Sequence, residues 1–318
     1  MMAPDQARFG ACSRFGGFLH ALCLLVMGCA DRSADPEAER ALEELARMVY
    51  APAAEVVRVP GDPRTSTIGA LEVDLLVDRY EVSRADWSHW TGESLEPDGV
   101  AATELHLAWP AFASFEDARD FARLRSMRLP TVGEWVFLAS SARARGFPWG
   151  ILSRESVANT SELGLLRPTP VGTFENGATP NGIYDLVGNV FEWAESDGTP
   201  VGLHNGEVPF EGQVAALGGS YLYRLRASVL GEDGAPFAQG LVLGESSVGP
   251  DLGLRCVVEA ETFLGTFAER WEGLPDARAR LISIGMEWGA PAVALLDRLA
   301  RAEPDHAAYE WLLDGARR

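Results

Sequence analysis

The stretch RLPTVGEW, residues 128–135, is the segment of this 318-residue chain from which its fold is best inferred. Thr131 and Glu134 stand three residues apart, in the order of a capping box. The threonine hydroxyl then accepts a hydrogen bond from a free amide of the new helix, and the glutamate carboxylate accepts one from the threonine amide. A helix is therefore predicted near residues 132–141. Taken alone, the motif indicates local structure and no function.

Eight further short motifs accompany this stretch in a fixed order. They are YEVS (80–83), FPWG (147–150), AN (158–159), PVGTF (170–174), PNGIYD (180–185), GNVFEW (188–193), GGSY (218–221) and GLRC (253–256). Each motif alone is weak, but nine of them in order over about two hundred residues are specific. This order resembles the formylglycine-generating enzyme family, also called the sulfatase-modifying factors.

The resemblance implies a mixed α/β domain related to the C-type lectins. The residues favour the same class, α+β and rich in loops. Short apolar runs at 71–77 and 79–82 predict strands, and the spacing of apolar residues predicts a helix over 114–124. From about residue 142 to 258 the chain is rich in Gly, Pro and Asn, which indicates loops.

Helical segments flank this domain on both sides. An N-cap aspartate followed by proline, Asp35-Pro36, predicts a helix that runs to about Tyr50. After Thr262 the helical period returns, with apolar residues at Phe263, Phe267, Trp271 and Leu274. We therefore divide the chain into a signal peptide (1–28), a tether with a short helix (29–53), the family-like domain (54–260) and a small C-terminal helical region (261–318).

The N-terminal segment has the layout of a secretory signal. Basic residues precede an apolar run from Phe15 to Met27, and Gly28-Cys29 follows, which resembles the lipidation motif of bacterial lipoproteins. We expect Cys29 to carry the lipid, so that the protein is exported and anchored to a membrane of the bacterial cell envelope. The alternative is an ordinary signal peptide with a chance cysteine.

The composition argues against nucleic acid as a partner. The net charge of the chain is -19, so its average surface repels a phosphate backbone.

A calcium site is implied by the resemblance, in the loop of Gly188, Asn189, Val190 and Glu192. Carboxylate, amide and backbone oxygens suit this hard cation. The alternative is that the Asn189 and Glu192 side chains satisfy buried backbone groups. The family's second calcium site would use Asn159 with an acid from residues 160–169, where Glu162 is the only acid.

Copper is not expected. Family members that oxidise a sulfatase cysteine to formylglycine carry two cysteines after the Gly-Gly-Ser motif, which hold copper(I) as soft thiolates. Tyr223 and Ser228 stand at those positions, and Cys256 is the only cysteine after Cys29. Iron is also not expected, because the five histidines show no i, i+4 pairing.

The leading hypothesis for function is a binding or scaffolding lipoprotein with a protein partner in the cell envelope. Its binding groove would be lined by residues that follow the second glycine of the GGSY motif: Ser220, Tyr221, Tyr223, Arg224 and Arg226. Aromatic and arginine side chains are common in binding hot spots. Alternatively, the tyrosines pack on a core face and the arginines pair with acids. Two other functions stay open, an enzyme with a different, non-copper chemistry in this groove and a carbohydrate-binding lectin-like module.

Overall fold

The computed structural model describes residues 35–58, 68–93, 103–140, 147–150, 156–199, 211–224 and 240–318. The predicted signal peptide, the lipidation candidate Cys29 and the positions Arg226 and Ser228 lie outside these ranges. Within them helices and short strands are mixed and long loops connect them, so the prediction of a loop-rich α+β chain is confirmed.

The first helix, α1 (Pro36–Leu45), begins where Asp35 accepts hydrogen bonds from the amides of Glu37 and Ala38, both at 3.1 Å. Its predicted end at Tyr50 is wrong. Residues Met48–Ala51 instead form strand β1, and all four are buried. Buried strand pairing outweighs the local helical period here, because β1 pairs antiparallel with β4 (Leu75–Asp78).

Strand β4 is the centre of a three-stranded sheet, and its other neighbour is β9 (Val257–Glu259). Strands β2 (Ala54–Arg58) and β3 (Ile68–Leu71) pair antiparallel in a separate sheet. The predicted strand over 71–77 is therefore two strands with a bend between them. The predicted strand over 79–82 is wrong, because these residues do not form a regular ladder of hydrogen bonds with a neighbouring strand. Single backbone hydrogen bonds hold them instead, such as the one from the Val82 amide to the Leu254 carbonyl oxygen at 2.9 Å.

The helices of the central region follow their capping signals. They are α2 (Arg84–Thr91), α3 (Glu104–Leu107), α4 (Phe115–Leu124) and α5 (Val132–Ala139). The capping box of α5 is confirmed: the Glu134 amide donates to Thr131 Oγ1 at 3.2 Å, and the Thr131 amide donates to Glu134 Oε2 at 2.9 Å. Arg128 donates to both Glu134 oxygens, at 2.6 and 2.7 Å, and so fixes the start of the helix.

A second sheet has the strand order β7-β6-β5-β8. Its strands are β5 (Phe191–Ala194), β6 (Gln213–Leu217), β7 (Gly240–Gly244) and β8 (Leu252–Gly253). The pairs are antiparallel except for β5 with β8, which is parallel. Between α5 and β5 the described chain is mostly loop, with 3₁₀ turns at Ser161–Leu163 and Glu175–Gly177. The GNVFEW motif thus runs from this loop region into β5.

Four helices complete the C-terminal region: α6 (Ala260–Trp271), α7 (Ala277–Trp288), α8 (Val293–Ala302) and α9 (Ala307–Ala316). The predicted apolar face is confirmed, because Phe263, Phe267, Trp271 and Leu274 are all buried. The Trp271 indole donates to the Ala38 carbonyl oxygen at 3.1 Å and so joins α6 to α1. One continuous cluster of buried side chains includes α1, α4 and these helices. The helical region is therefore packed into the same core as the central domain.

In the described part of the chain, no single helix is long and apolar enough to cross a membrane. One bent pair, Ala277–Trp288 with Ala290–Ala302, meets the length and composition requirement across a bend of 102°.

Candidate functional site

The loop at Gly188 and Asn189 joins three of the sequence motifs. The Gly188 amide donates to the Gly218 carbonyl oxygen at 2.9 Å, the Asn189 amide donates to the Asn159 carbonyl oxygen at 2.7 Å, and the Tyr221 amide donates to the Asn189 carbonyl oxygen at 3.0 Å. Gly188 has a φ of 81°, and a Cβ there would lie 2.5 Å from the Asn159 carbonyl oxygen. Only glycine fits both the conformation and the space.

The Asn189 side chain is fully buried and holds its neighbours together. Its Nδ2 donates to Glu81 Oε2 at 2.6 Å. Its Oδ1 accepts hydrogen bonds from Asn159 Nδ2 at 3.1 Å and from the Thr169 amide at 3.0 Å. The second Glu81 oxygen accepts the Val190 amide at 3.1 Å. These contacts fix the loop to the YEVS motif, 108 residues earlier in the chain.

Glu192, in β5, forms a buried ion pair with Arg255. Arg255 Nη2 donates to Glu192 Oε1 at 2.6 Å, and Arg255 Nε donates to Glu192 Oε2 at 3.0 Å. The Trp135 indole donates to the same Oε2 at 2.8 Å. Arg255 also donates to the carbonyl oxygens of Asp78 and Tyr184. Both side chains of the pair have no more than 1 % of their surface exposed.

Three buried carboxylates surround this single arginine: Glu81, Asp185 and Glu192. Burial, reinforced by the nearby charges of Asp185 and Glu192, raises the pKa of Glu81 well above its usual range. Burial likewise raises the pKa of Asp185 to about 6, although the Gly172 amide donates to its Oδ2 at 2.6 Å. The centre therefore has more buried negative charge than Arg255 alone can balance.

The residues of the predicted calcium loop have protein partners in this structure. The Asn189 side chain bonds the Thr169 amide and carbonyl oxygen, as the alternative interpretation expects, and also the side chains of Asn159 and Glu81. The contacts of Glu192 are instead with the side chains of Arg255 and Trp135. The second predicted calcium site, at Asn159, differs from the first. Asn159 is buried, and among the described residues its Oδ1 has no hydrogen-bond partner, which leaves an acceptor open to a cation or a water. Glu162 is directed elsewhere, 4.0 Å from Arg224 Nε. Calcium binding stays a prediction at both places.

The predicted binding groove is divided between buried and exposed residues. Ser220 is fully buried and donates from Oγ to Asp251 Oδ2 at 2.6 Å. Tyr221 is also buried, and burial raises the pKa of its phenol. Tyr223 is 42 % exposed, and its ring packs edge-on against Phe191 with the centroids 4.8 Å apart. Of the predicted groove residues that the structure describes, Tyr223 and Arg224, whose side chain is 77 % exposed, are the ones open to a partner.

Cys256 is the one thiol among the described residues. Cys256 is buried and free, and burial raises the pKa of its thiol above the usual range, although Arg125 lies nearby. A thiol in this setting is inert. Among the described residues there is no group of three or more His, Cys, Asp or Glu side chains that could hold a metal ion.

Sequence reasoning missed three members of the buried centre: Glu81, Asp185 and Arg255. Each of them lies in one of the family motifs, YEVS, PNGIYD or GLRC. The motifs therefore contained these residues, but the hydrophobic pattern of a sequence does not show which charged side chains will be buried. Only the folded chain shows that these distant motifs meet around one arginine.

Comparison with known proteins identifies the class of this domain. Residues 70–260 match the sulfatase-modifying factor enzyme 1-like domain. The chain belongs to this family, as its motifs indicate.

Curated relatives include both active and inactive proteins. The formylglycine-generating enzyme of Streptomyces coelicolor is 30% identical over 190 residues, which cover 52% of this chain and 55% of the relative. The inactive C-alpha-formylglycine-generating enzyme 2 of Bos taurus is 33% identical over 103 residues, 29% of this chain and 32% of the relative. The matches thus span about half or less of these relatives. Family membership alone does not decide between an enzyme and an inactive relative.

A solved structure supports the fold. Treponema denticola variable protein 1 superimposes with a TM-score of 0.54 at 14% sequence identity, over 67% of this chain and 94% of that one. At this identity the likeness concerns the fold alone.

Proposed function

We propose that this protein is an exported lipoprotein whose domain is a binding or scaffolding module without copper oxidase chemistry. The observation that carries the proposal is the cysteine content of the family domain. Residues 70–260 contain one cysteine, Cys256, and it is buried without a partner thiol. Copper(I) is a soft ion that is held by thiolates, so one inaccessible thiol offers no oxidase centre. The exposed Tyr223 and Arg224 support a role in recognition.

The absence of oxidase activity is tested by two measurements. With copper(I) and a cysteine-containing sulfatase peptide, we expect oxygen consumption to stay at the level of buffer and peptide alone. In a titration against a copper(I) chelator, we expect no copper to be transferred to the folded protein. A family oxidase assayed in parallel is the positive control. Turnover above background, or copper bound at one equivalent, would contradict the proposal and favour an enzyme.

Export and anchoring depend on Cys29. In cells given a labelled fatty acid, we expect the wild-type protein to carry the label and to sediment with membranes. The Cys29→Ser variant should lose the label and be released, since no other cysteine follows a small residue at the end of an apolar run. Cys23→Ser, in the same segment, is the matched control and should be labelled normally. Equal labelling of the wild type and Cys29→Ser would show that the signal carries no lipid.

Calcium remains part of the proposal, and the buried charge supports it. Glu81, Asp185 and Glu192 together outnumber Arg255. These acids do not form a ligand group by themselves, so a divalent cation near the Gly188–Glu192 loop would offset their charge while taking amide and backbone oxygens among its ligands. Because the pKa of folded Asp185 is about 6 and its ordinary value is 3.8, the folded protein holds this proton more tightly than the unfolded chain. That contribution to stability is present below about pH 4 and is lost as the pH rises through about 6. A cation would replace the lost proton.

We therefore expect calcium to raise the thermal midpoint of unfolding more at pH 7.5 than at pH 5, and chelator to reverse the effect. Asp185→Asn, which removes one charge from the cluster, should reduce the response to calcium, as should Glu192→Gln. Asp276→Asn, on the exposed turn before α7, is the control and should respond like the wild type. If neither calcium nor chelator changes the thermal midpoint at pH 7.5, calcium does not bind the folded protein.

A further inference from the structure

The loop of residues 161–167, which the sequence analysis considered only for calcium, lies beside Tyr223 and Arg224. The Ser161 amide donates to the Tyr223 carbonyl oxygen at 3.1 Å, and Glu162 Oε1 lies 4.0 Å from Arg224 Nε. At its base the loop is closed by Asn159, whose Nδ2 donates to the Arg167 carbonyl oxygen at 3.0 Å. The start of the loop is thus joined directly to the segment that follows Ser220.

We call the exposed part of these two segments the leucine–arginine patch and define it by Leu165, Leu166, Arg167, Leu222, Tyr223 and Arg224. Its four large apolar side chains are 41, 64, 46 and 42 % exposed in that order. Leu166 is five residues beyond Ser161, so the chain holds it within roughly 18 Å of the contact with Tyr223. Single exposed leucines are ordinary, but here two adjacent pairs of exposed apolar residues lie on segments that the Ser161–Tyr223 hydrogen bond joins, and such a concentration indicates an interaction site.

The backbone of Leu166 strengthens this interpretation. Its φ is 50°, in the left-handed region that residues with a Cβ adopt at a cost, and glycine would adopt it freely. Gly164, two residues earlier, is also left-handed, with a φ of 74°. At Leu166 the chain places a large apolar side chain instead and leaves most of it in solvent. Packing within the fold does not explain that choice, because the side chain is 64 % exposed.

The charge of the patch is opposite to that of the whole protein. Arg167 and Arg224 are both exposed, and Glu162 lies 4.0 Å from Arg224, while the chain has a net charge of -19. Guanidinium groups bind carboxylates through paired hydrogen bonds, and an arginine beside exposed apolar side chains favours a partner with both features. The arginines of the patch would therefore bind acidic groups that the rest of the protein surface repels.

We propose that the leucine–arginine patch binds a peptide segment that presents acidic residues next to large apolar ones. The proposal rests on the proposed function of the domain as a binding module and names the class of its partner. A protein segment is favoured over an anionic lipid surface, because a membrane would bring many anionic head groups against the acidic surface around the patch, whereas a short peptide brings only a few acids to the two arginines. The apolar side chains would fill the space between Leu166 and Tyr223, and the carboxylates would pair with the arginines.

The proposal is tested by selecting from a random peptide library displayed on phage with the purified protein as the target. We expect the enriched peptides to combine aspartate or glutamate with leucine, phenylalanine or tryptophan. The affinity of a synthetic copy should fall at least tenfold in the variant Leu166→Gly/Arg224→Glu. Leu166→Gly removes a strained residue, so the thermal midpoint of this variant should be equal to that of the wild type or higher.

The matched control alters another exposed apolar residue and another exposed arginine, both on α7. Met286 is 55 % exposed and Arg278 is exposed, and Met286→Ser/Arg278→Glu should bind the peptide like the wild type. Enrichment of basic peptides, or equal affinity for both double variants, overturns the assignment of the patch but leaves a binding function elsewhere. Sedimentation with anionic phosphatidylserine vesicles that depends on Leu166 and Arg224 also overturns it, in favour of a membrane. Oxygen turnover with copper would instead contradict the proposed function itself.

Discussion

Replacing Gly285 with alanine is expected to lower the free energy of unfolding by about 3 kcal/mol or more, as overpacking against rigid atoms does. Gly285 lies on α7 where this helix crosses α9. A Cβ at this position would lie 2.0 Å from the Leu312 carbonyl oxygen and 2.9 Å from its carbonyl carbon. Both are backbone atoms of a helix, so no side chain can move aside. The two helices would have to separate.

Gly315, on the opposite side of the same crossing, should behave in the same way. A Cβ on Gly315 would lie 2.1 Å from the Ile282 carbonyl oxygen. The separation would disturb Trp288, whose indole donates to the Met48 carbonyl oxygen at 3.2 Å and connects α7 to β1. We therefore expect Gly315→Ala to loosen the attachment of the C-terminal helices to the central sheet.

Gly265 provides the matched control for both substitutions. It also lies within a helix, α6, but its Cβ would meet only the Tyr309 hydroxyl at 4.0 Å. Gly265→Ala should therefore be neutral or should stabilise by about 0.5–1 kcal/mol, the gain in helix propensity. The measurement is the midpoint of chemical unfolding. Equal midpoints for Gly285→Ala and Gly265→Ala would mean that α7 and α9 do not cross so closely.

Local signals predicted most of the elements whose ends are fixed by capping or by a strong apolar period. The capping box at Thr131 and Glu134 and the apolar face of α6 are examples, because each depends on residues within one or two helical turns. The end of α1 was wrong for the converse reason. Residues 48–51 continue an apolar pattern, and only their pairing with β4 makes them a strand.

The candidate site was predicted in part for a related reason. Order along the chain identified the motifs, and the structure brings several of them together around Asn189 and Arg255. Sequence could not show that Ser220 and Tyr221 are buried while Tyr223 is exposed, because adjacent residues of an irregular loop follow no period. It also missed the exposed Leu166, whose significance depends on its backbone conformation and on its neighbours across the loop.

Replacing Arg255 with methionine is expected to cost about 3–5 kcal/mol, because breaking a buried ion pair leaves a charge without compensation. Glu192 would keep its hydrogen bond from Trp135 and lose those from Arg255. The backbone carbonyl oxygens of Asp78 and Tyr184 would also lose the hydrogen bonds that Arg255 donates to them. Arg123→Met, at an exposed pair with Asp120, is the control and should cost less than about 1 kcal/mol.

The pH dependence of this variant separates lost charge from lost packing. Without Arg255, the buried carboxylates Glu81 and Asp185 lose the cation that favours their ionised forms, so their pKa values in the folded state should rise further. An acid with a raised folded pKa stabilises the protein at low pH, and that stability is lost as the pH rises. The deficit of Arg255→Met relative to the wild type should therefore be smaller at pH 5 than at pH 7.5.

The double variant Arg255→Met/Glu192→Gln tests the same interpretation. Its second substitution removes one of the unpaired charges and should recover part of the lost stability at pH 7.5. A deficit that is equal at both pH values and unchanged in the double variant would assign the loss to packing and show that Arg255 does not balance the buried acids.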